Sequence, residues 1–291
     1  MINQQRLISS NPDYIPSSSF ENKILKIDAI ELLNSLPIKS IKLIITDPPY
    51  GIAYHSGHYK NKNPHDPVAH DWNFQIGPFF DAVNQVLSED GAVYLFTRWD
   101  VYPLWASYIP YPLKLKNCIV WMKDNWSAGD LEGNFGNQYE LIMFLTKDHK
   151  IRGKRWPNIW KFPRVPAGRL RIATEKPVEL LQRAIMASSD EGDLVLDPFC
   201  GCGSTGEAAM KCGRRFLLGD IDAKMIKISS KRLGIEIKDE VNNDFLIMPP
   251  CPIMKIVPPD PFLWGVHPED LADFKQSILA SNSEMKKVNG L

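Results

Sequence analysis

An excess of either charge is missing from this chain: 34 Lys and Arg balance 34 Asp and Glu across 291 residues. A neutral chain has no bulk attraction for a polyanion, so any nucleic-acid contact has to come from a local basic patch. Cysteine is sparse. The five (Cys118, Cys200, Cys202, Cys212, Cys251) are odd in number and lack paired CxxC spacing, in a chain too large to need disulfide staples. That usage predicts a reduced, cytoplasmic protein with no cysteine-built metal site. Long apolar runs are also absent: none approaches the roughly 18 residues of a membrane span. The polar start MINQQRLISSNPDYIPSSS has no signal-peptide core, so no membrane partner is expected. No internal repeat is found. What remains, 44% hydrophobic and 23% charged, describes an ordinary globular chain and excludes fibres and fully disordered tails.

The first 20 residues, rich in Ser, Asn and Pro, read as a loose arm. From Glu21 short apolar runs alternate with longer helical patterns, which predicts an α/β fold: a doubly wound, mostly parallel seven-stranded sheet covered by helices on both faces. The predicted strands are Lys23 to Ile27, Ile41 to Thr46, Ala92 to Thr97, Asn117 to Met122, Glu140 to Leu145, Asp193 to Leu196 and Arg215 to Leu218. The predicted helices are Ala29 to Leu36, Pro78 to Leu87, Pro177 to Ser188, Thr205 to Cys212 and Ala223 to Leu233, two of them opening on Pro. Gly51 to Asn73 lacks periodicity and reads as a functional loop. Residues 235–291 carry seven prolines, the last of them inside the helix-like HPEDLADFKQSILA, which predicts an extended strap ending in one helix.

Two motifs carry chemistry. Asp197-Pro198-Phe199-Cys200-Gly201-Cys202-Gly203-Ser204-Thr205 follows the apolar run LVL and precedes a helix. Glycines at a strand-to-helix turn let backbone approach a ligand, and Asp220, 17 residues after Gly203, stands where an acid can accept hydrogen bonds from ribose hydroxyls. Alone, this pattern also suits a tight packing turn. Asp47-Pro48-Pro49-Tyr50 follows KLIIT. Its prolines remove two N–H donors at a strand end, leaving outward carbonyls beside the Asp47 carboxylate, while Tyr50 adds a ring on which a planar base could stack. That set suits an exocyclic amine on a flat heterocycle. Alone, it also suits a strand ended by a Pro-Pro turn.

Together the two motifs resemble the paired signature of S-adenosylmethionine-dependent DNA amino-methyltransferases, which modify N6 of adenine or N4 of cytosine. With the Asp-Pro-Pro-Tyr motif ahead of the cofactor glycines, the order is similar to that of the β group. Lys26 to Leu33, Ala92 to Thr97, Tyr139 to Phe144 and Thr174 to Leu181 add further matches, so the resemblance runs from Glu21 to about Gly234. It implies the class I methyltransferase fold, with 21–234 as the catalytic domain. It implies catalytic Asp47, Pro48, Pro49 and Tyr50. It further implies a cofactor pocket in which Asp28 and Ala29 meet the adenine end, Asp220 and Ile221 the ribose, and the turn with Asp197, Pro198, Phe199, Gly201, Gly203 and Thr205 the methionine end. Lys176 and Pro177 would wall the same pocket. For Asp28, Lys176 and Asp197 the bland alternative is helix capping or an ion pair. The family's glycine two residues before the ribose acid is Leu218 here, with Gly219 adjacent. Asp in the catalytic tetrapeptide resembles adenine enzymes more than cytosine ones, and cytosine N4 is the alternative target.

Positive charge gathers in Lys147 to Ile172, where nine basic residues face one acid and Trp156, Trp160 and Phe162 are interleaved. In a family member this interval implies target recognition on double-stranded DNA, with Tyr139, Lys154, Arg155, Trp156, Arg164 and Arg169 as DNA-facing residues. Without the resemblance it is a solvated face. His55, His58, His65 and His70 fit no closed four-ligand zinc site, so the site is expected to hold no metal and their loop is expected to act as a lid over the target base. A second copy of the chain and a companion restriction endonuclease are further partners compatible with the family. The rival classes are a dinucleotide-dependent oxidoreductase, which leaves Asp47 to Tyr50 unexplained, and a catalytically silent DNA-binding protein.

Overall fold

The computed structural model describes residues 20–50, 74–126 and 132–235. The arm, the 51–73 loop with its four histidines, and the extension from residue 236 lie outside them, except that Phe20 is already buried in the core at 2% exposure.

In chain order the elements are β1 (Lys23–Lys26), α1 (Ala29–Asn34), β2 (Ile41–Thr46), α2 (Ile76–Val86), β3 (Leu87–Thr97), α3 (Tyr102–Ala106), β4 (Lys114–Met122), β5 (Tyr139–Thr146), β6 (Ile159–Lys161), α4 (Val178–Ser188), β7 (Leu194–Asp197), α5 (Ser204–Lys211), β8 (Arg215–Asp220) and α6 (Ala223–Leu233). Among the described residues eight strands form one sheet in the order β1-β8-β7-β2-β3-β5-β4-β6. All pairings are parallel except those of β5, which runs against both β3 and β4. The expected doubly wound, mostly parallel sheet is present, with one strand more than the seven predicted. The addition is β6, which lies inside the basic interval and pairs with β4 from Val120↔Ile159 to Met122↔Lys161. Three residues flanked by Pro157 and Pro163 carry no readable period; β6 exists because Trp160 buries itself there at 4% exposure.

Strands β2 and β7 read as near-continuous apolar runs because helices cover both faces of the sheet. Alternate residues of β3 make this visible. Val93 and Leu95 pack with α1, α2 and α3, whereas Ala92, Tyr94 and Phe96 pack with α4, α5 and α6. Helix α2 starts two residues before Pro78, which still falls in the first turn, where an N–H has no intrahelical partner to lose. Pro177 is the residue before α4 rather than its first. Among the described residues no helix is long and apolar enough to cross a membrane.

The chain leaves β7 through α5 toward β8 on one side, and leaves β2 through α2 toward β3 on the other. Since β7 and β2 are neighbours, through Leu43↔Val195 and Ile44↔Leu196, the winding reverses between them. Doubly wound sheets bind ligands in the crevice at the carboxyl ends of such a strand pair. Asp47 follows β2 and Asp197 ends β7, so the two motifs meet at that point.

Candidate active site

Asp197 ties the two halves of the site together. Its Oδ1 accepts hydrogen bonds from Thr46 Oγ1 at 2.8 Å and from Phe199 N at 3.1 Å, and its Oδ2 accepts from Thr205 Oγ1 at 2.6 Å. The end of β2, the end of β7 and the first turn of α5 are thus held by one buried carboxyl. Burial pushes the Asp197 pKa up to about 7, against the pull of those donors and with the help of the nearby Asp47 charge. Three donors of the chain itself occupy its side chain, which ties the turn to both strand ends. Gly203 ends that turn in the left-handed region, at φ +77°, where an added Cβ would meet Ser229 Cβ at 2.8 Å.

On the far side of β7, Asp220 Oδ2 accepts from Gly201 N at 2.9 Å and Oδ1 from Asp222 N at 2.9 Å. The acid is thereby locked against the glycine turn, and burial raises its pKa. A carboxylate offers about four lone-pair sites, so each oxygen keeps one acceptor position, which suits a vicinal diol. Lys26↔Asp220 pairing brings Asp28, two residues on, beside this acid. Asp28 also caps α1, its Oδ1 accepting from Ile30 N at 2.9 Å and Glu31 N at 3.2 Å. Leu218 is buried in the core, and at Gly219 an added Cβ would come within 2.6 Å of Leu32 in α1. Ala29 is buried at the start of α1, Pro198 is buried, Ile221 is exposed, and Phe199 packs edge-on to Phe74 with ring centroids 5.4 Å apart. These residues gather at the carboxyl ends of the neighbouring strands β1, β8 and β7.

The catalytic motif lies one strand over. Tyr50 Oη donates to Asp47 Oδ1 at 2.6 Å, and the ring stands 5.8 Å from that of Trp105. Burial and then the Asp47 charge push the phenol pKa well above its ordinary value, so Tyr50 is a neutral donor. Asp47 Oδ2 accepts from Lys176 Nζ. Lys176, which the resemblance implies as a wall of the cofactor pocket, turns toward β5, with Nζ 3.2 Å from Glu140 Oε2 and 4.9 Å from the centre of the Phe96 ring. Pro177, the residue before α4, fixes this entry point. Glu140 in turn pairs with Lys123 at 2.6 Å. Sequence reasoning missed Glu140 and Lys123 as site residues. Glu140 stands in a quoted motif, but nothing in one dimension pairs it with a lysine from β4's end and another from before α4.

The basic interval starts at one edge of the sheet and ends at the other. Thr146 pairs with Ala92, and Arg152 N donates to Ala187 O near the end of α4, so residues 147–152 lie at the amino edge, opposite the site; the chain then climbs beside β4 until Asn158 O accepts from Val120 N, level with Thr97 at the end of β3. Trp156, on that climb, is sandwiched by Lys154 at 5.2 Å and Arg183 of α4 at 4.8 Å. Arg183 also stacks on Trp160 and on Phe162, at 5.7 and 4.3 Å, so the interleaved aromatics pack on α4. Several cations of the run are committed as well. Lys147 is buried, its Nζ donating to Asn84 O at 2.7 Å and Leu87 O at 2.8 Å at the end of α2; Arg152 pairs with Asp190 at 2.8 Å and Arg171 with Glu175 at 2.9 Å. Beyond β6 the chain emerges at the carboxyl edge, since β6 runs parallel to β4, and Arg164 and Arg169 are exposed there. Tyr139, opposite Met122 at the start of β5, faces the same edge and is 38% exposed. Of the six expected DNA-facing residues, Tyr139, Arg164 and Arg169 are exposed at the carboxyl edge, while Lys154, Arg155 and Trp156 lie on the segment that climbs toward it beside β4.

Known proteins agree with this geometry. A family model described as DNA methylase matches residues 41–231. The chain is 29% identical to DNA adenine methyltransferase YhdJ of Escherichia coli (strain K12), over 72% of this chain and 81% of that one. It is also 29% identical to Type II methyltransferase M2.DpnII of Streptococcus pneumoniae, over 74% of this chain and 91% of that one. Among solved structures it resembles the M1.HpyAVI-SAM complex, with a TM-score of 0.59 and 20% identity over 73% of this chain and 99% of that one. PvuII DNA methyltransferase, described as cytosine-N4-specific, superposes with a TM-score of 0.58 and 17% identity over 81% of this chain and 93% of that one. At those identities the structural likeness establishes the fold, class I α/β, while the family match takes in both motif-bearing strands and about two thirds of the sequence. The chain belongs to the DNA methylase family.

Proposed function

We propose that this protein transfers a methyl group from S-adenosylmethionine to N6 of adenine in double-stranded DNA. The observation that carries the reading is the Thr46–Asp197 hydrogen bond of 2.8 Å, which fixes the amine-accepting segment and the glycine turn side by side at the sheet's reversal point. Asp220, Asp28 and the turn from Asp197 to Thr205 would hold the cofactor, whose chemical contribution is an electrophilic methyl group. The chain's own task is to make a poor nucleophile attack. A base amine is delocalised into its ring, and hydrogen bonds from its N–H groups to the Asp47 carboxylate and the Pro48 carbonyl favour a more tetrahedral nitrogen with its lone pair available. The proton that the amine loses leaves along the hydrogen bond to Asp47. Reaching this position requires the base to rotate out of the duplex, at a cost of a few kcal/mol, with Tyr50 and Tyr139 offering rings on the way. Adenine is preferred because Asp opens the tetrapeptide and because YhdJ is named for adenine. Cytosine N4 is the second reading, supported by the PvuII likeness. Modification-sensitive sequencing of DNA from a host expressing the protein separates them: methyladenine at one recurrent site supports the proposal, and methylcytosine or unmodified DNA overturns it.

Two further results are expected. Asp220→Ala should weaken S-adenosylmethionine binding by about 1.5 to 3 kcal/mol through loss of a charge-assisted contact, as read by calorimetry. Unchanged affinity would remove Asp220 from the ribose. Replacing Arg164 and Arg169 together with Ala should lower DNA affinity and flatten its salt dependence, each lost phosphate contact removing about 0.9 from the log-log slope. The Lys154→Ala, Arg155→Ala pair should change the slope less, because Lys154 is engaged over the Trp156 ring. An affinity series across salt in which the second pair has the larger effect would move the main DNA contact to the segment ahead of β6.

A further inference from the structure

Four side chains of alternating charge run from β4's end to the catalytic motif: Lys123, Glu140, Lys176 and Asp47. The two contacts of Lys176 are unequal. It donates to Asp47 Oδ2, whereas Glu140 Oε2, 3.2 Å away, is buried and has no hydrogen bond of good geometry. Lys123 occupies the other Glu140 oxygen at 2.6 Å. We propose that Glu140 is a positioning residue for methyl transfer, its Oε2 being the acceptor to which Lys176 retreats when the target amine takes Asp47 Oδ2. The inference rests on the methyl-transfer reading above.

The need for such a retreat follows from the competition at Asp47. An oxygen paired with an ammonium is a poor acceptor for a neutral amine, so Lys176 has to give way for Asp47 to act on the substrate. A buried ammonium with a single carboxylate partner cannot leave it, because an uncompensated buried charge costs several kcal/mol. With a second carboxylate oxygen within reach, the exchange keeps the charge paired throughout. The charge states suit this. Burial would lower the Lys176 pKa, but Asp47 and Glu140 outweigh it and hold the ammonium protonated; burial would raise the Glu140 pKa, but Lys176 and Lys123 outweigh it and keep the carboxylate ionised. The rings of Phe96 and Trp121, each 4.9 Å from a lysine nitrogen, line the path.

A static ion-pair chain and a retreat differ in kinetics. The test compares wild type, Glu140→Gln, Lys176→Met and the double variant as full chains, measuring steady-state methyl transfer to duplex DNA, calorimetric binding of S-adenosylmethionine, and melting. In Glu140→Gln, Lys176 is left clamped on Asp47. Its kcat is expected to fall about 10- to 100-fold, while KM for DNA and Kd for the cofactor stay within about twofold. Adding Lys176→Met frees Asp47 and should recover several-fold of the lost kcat, which no structural role of either residue produces. Should Glu140→Gln fail to fold, Glu140→Asp draws the carboxylate back by one methylene, and its kcat is expected to fall less than that predicted for Glu140→Gln, with the same unchanged KM. A wild-type kcat in the Glu140 variants, or a double variant no better than Glu140→Gln, would overturn the retreat. A wild-type protein that methylates no DNA would instead overturn the function it rests on.

Discussion

Asp47→Ala is expected to reduce methyl transfer by at least about 10³-fold while the protein folds and binds S-adenosylmethionine as before. Removing one preorganised hydrogen-bonding group from a reacting centre costs on the order of 10² to 10³. Here the lost group is also the proposed acceptor for the departing proton, which sets the expectation at the upper end. The fold is spared because the side chain is only partly buried and contributes no residue to either apolar cluster. Its two partners also have alternatives: Lys176 keeps Glu140 within 3.2 Å, and the Tyr50 ring still packs against Trp105. The measurement is tritiated methyl incorporation into duplex DNA, beside a thermal melt and a cofactor titration. Incorporation at wild-type rate would remove Asp47 from the mechanism. Tyr50→Ala should also impair transfer, and Tyr50→Phe should be milder, since a ring remains while the 2.6 Å bond to Asp47 is lost.

Much of this site was legible before any coordinates. Strand ends can be read from short apolar runs, and in a doubly wound sheet the strands that carry ligand-binding residues present them at one edge, so Asp47, Asp197 and Asp220 could be placed together by rule. What the sequence could not show was direction across that edge. The family's motif order places Lys176 with the cofactor residues but does not show its partners: Asp47 is 129 residues away and Glu140 arrives on β5, the reversed strand. Counting charges over Lys147 to Ile172 likewise treats the segment as one surface, whereas it starts at the amino edge, climbs beside β4 and reaches the carboxyl edge through β6. The burial of Trp160 is invisible in a Pro-rich stretch without period; its Nε1 donates to Pro157 O at 2.9 Å within the fold.

The buried Asp197 carboxyl should make stability fall as pH rises between about 4 and about 7. In the unfolded chain its pKa is near 3.8, the ordinary value for an aspartate, and in the folded chain burial pushes it up to about 7. Below the lower value both states hold the proton and the group contributes nothing. Between the two, the unfolded chain has released a proton that the folded chain retains, so each rise in pH favours unfolding; above about 7 both are ionised and the full penalty is present. At 1.36 kcal/mol per pKa unit the full penalty is about 4 kcal/mol. Asp197→Asn removes the titration with little change of shape: the amide oxygen can still accept from Thr46 and Phe199 N, and the amide nitrogen can donate to a rotated Thr205 hydroxyl. Urea unfolding of both proteins across this range isolates the term from every other titrating group, because only the difference between them is read. The Asn variant should gain on wild type steadily from pH 4 to 7, by up to about 4 kcal/mol, and then hold that margin. A difference independent of pH would mean that Asp197 is ionised throughout. The bonds from Thr46, Thr205 and Phe199 N would then outweigh burial, and the tie between the two motifs would be a charged one.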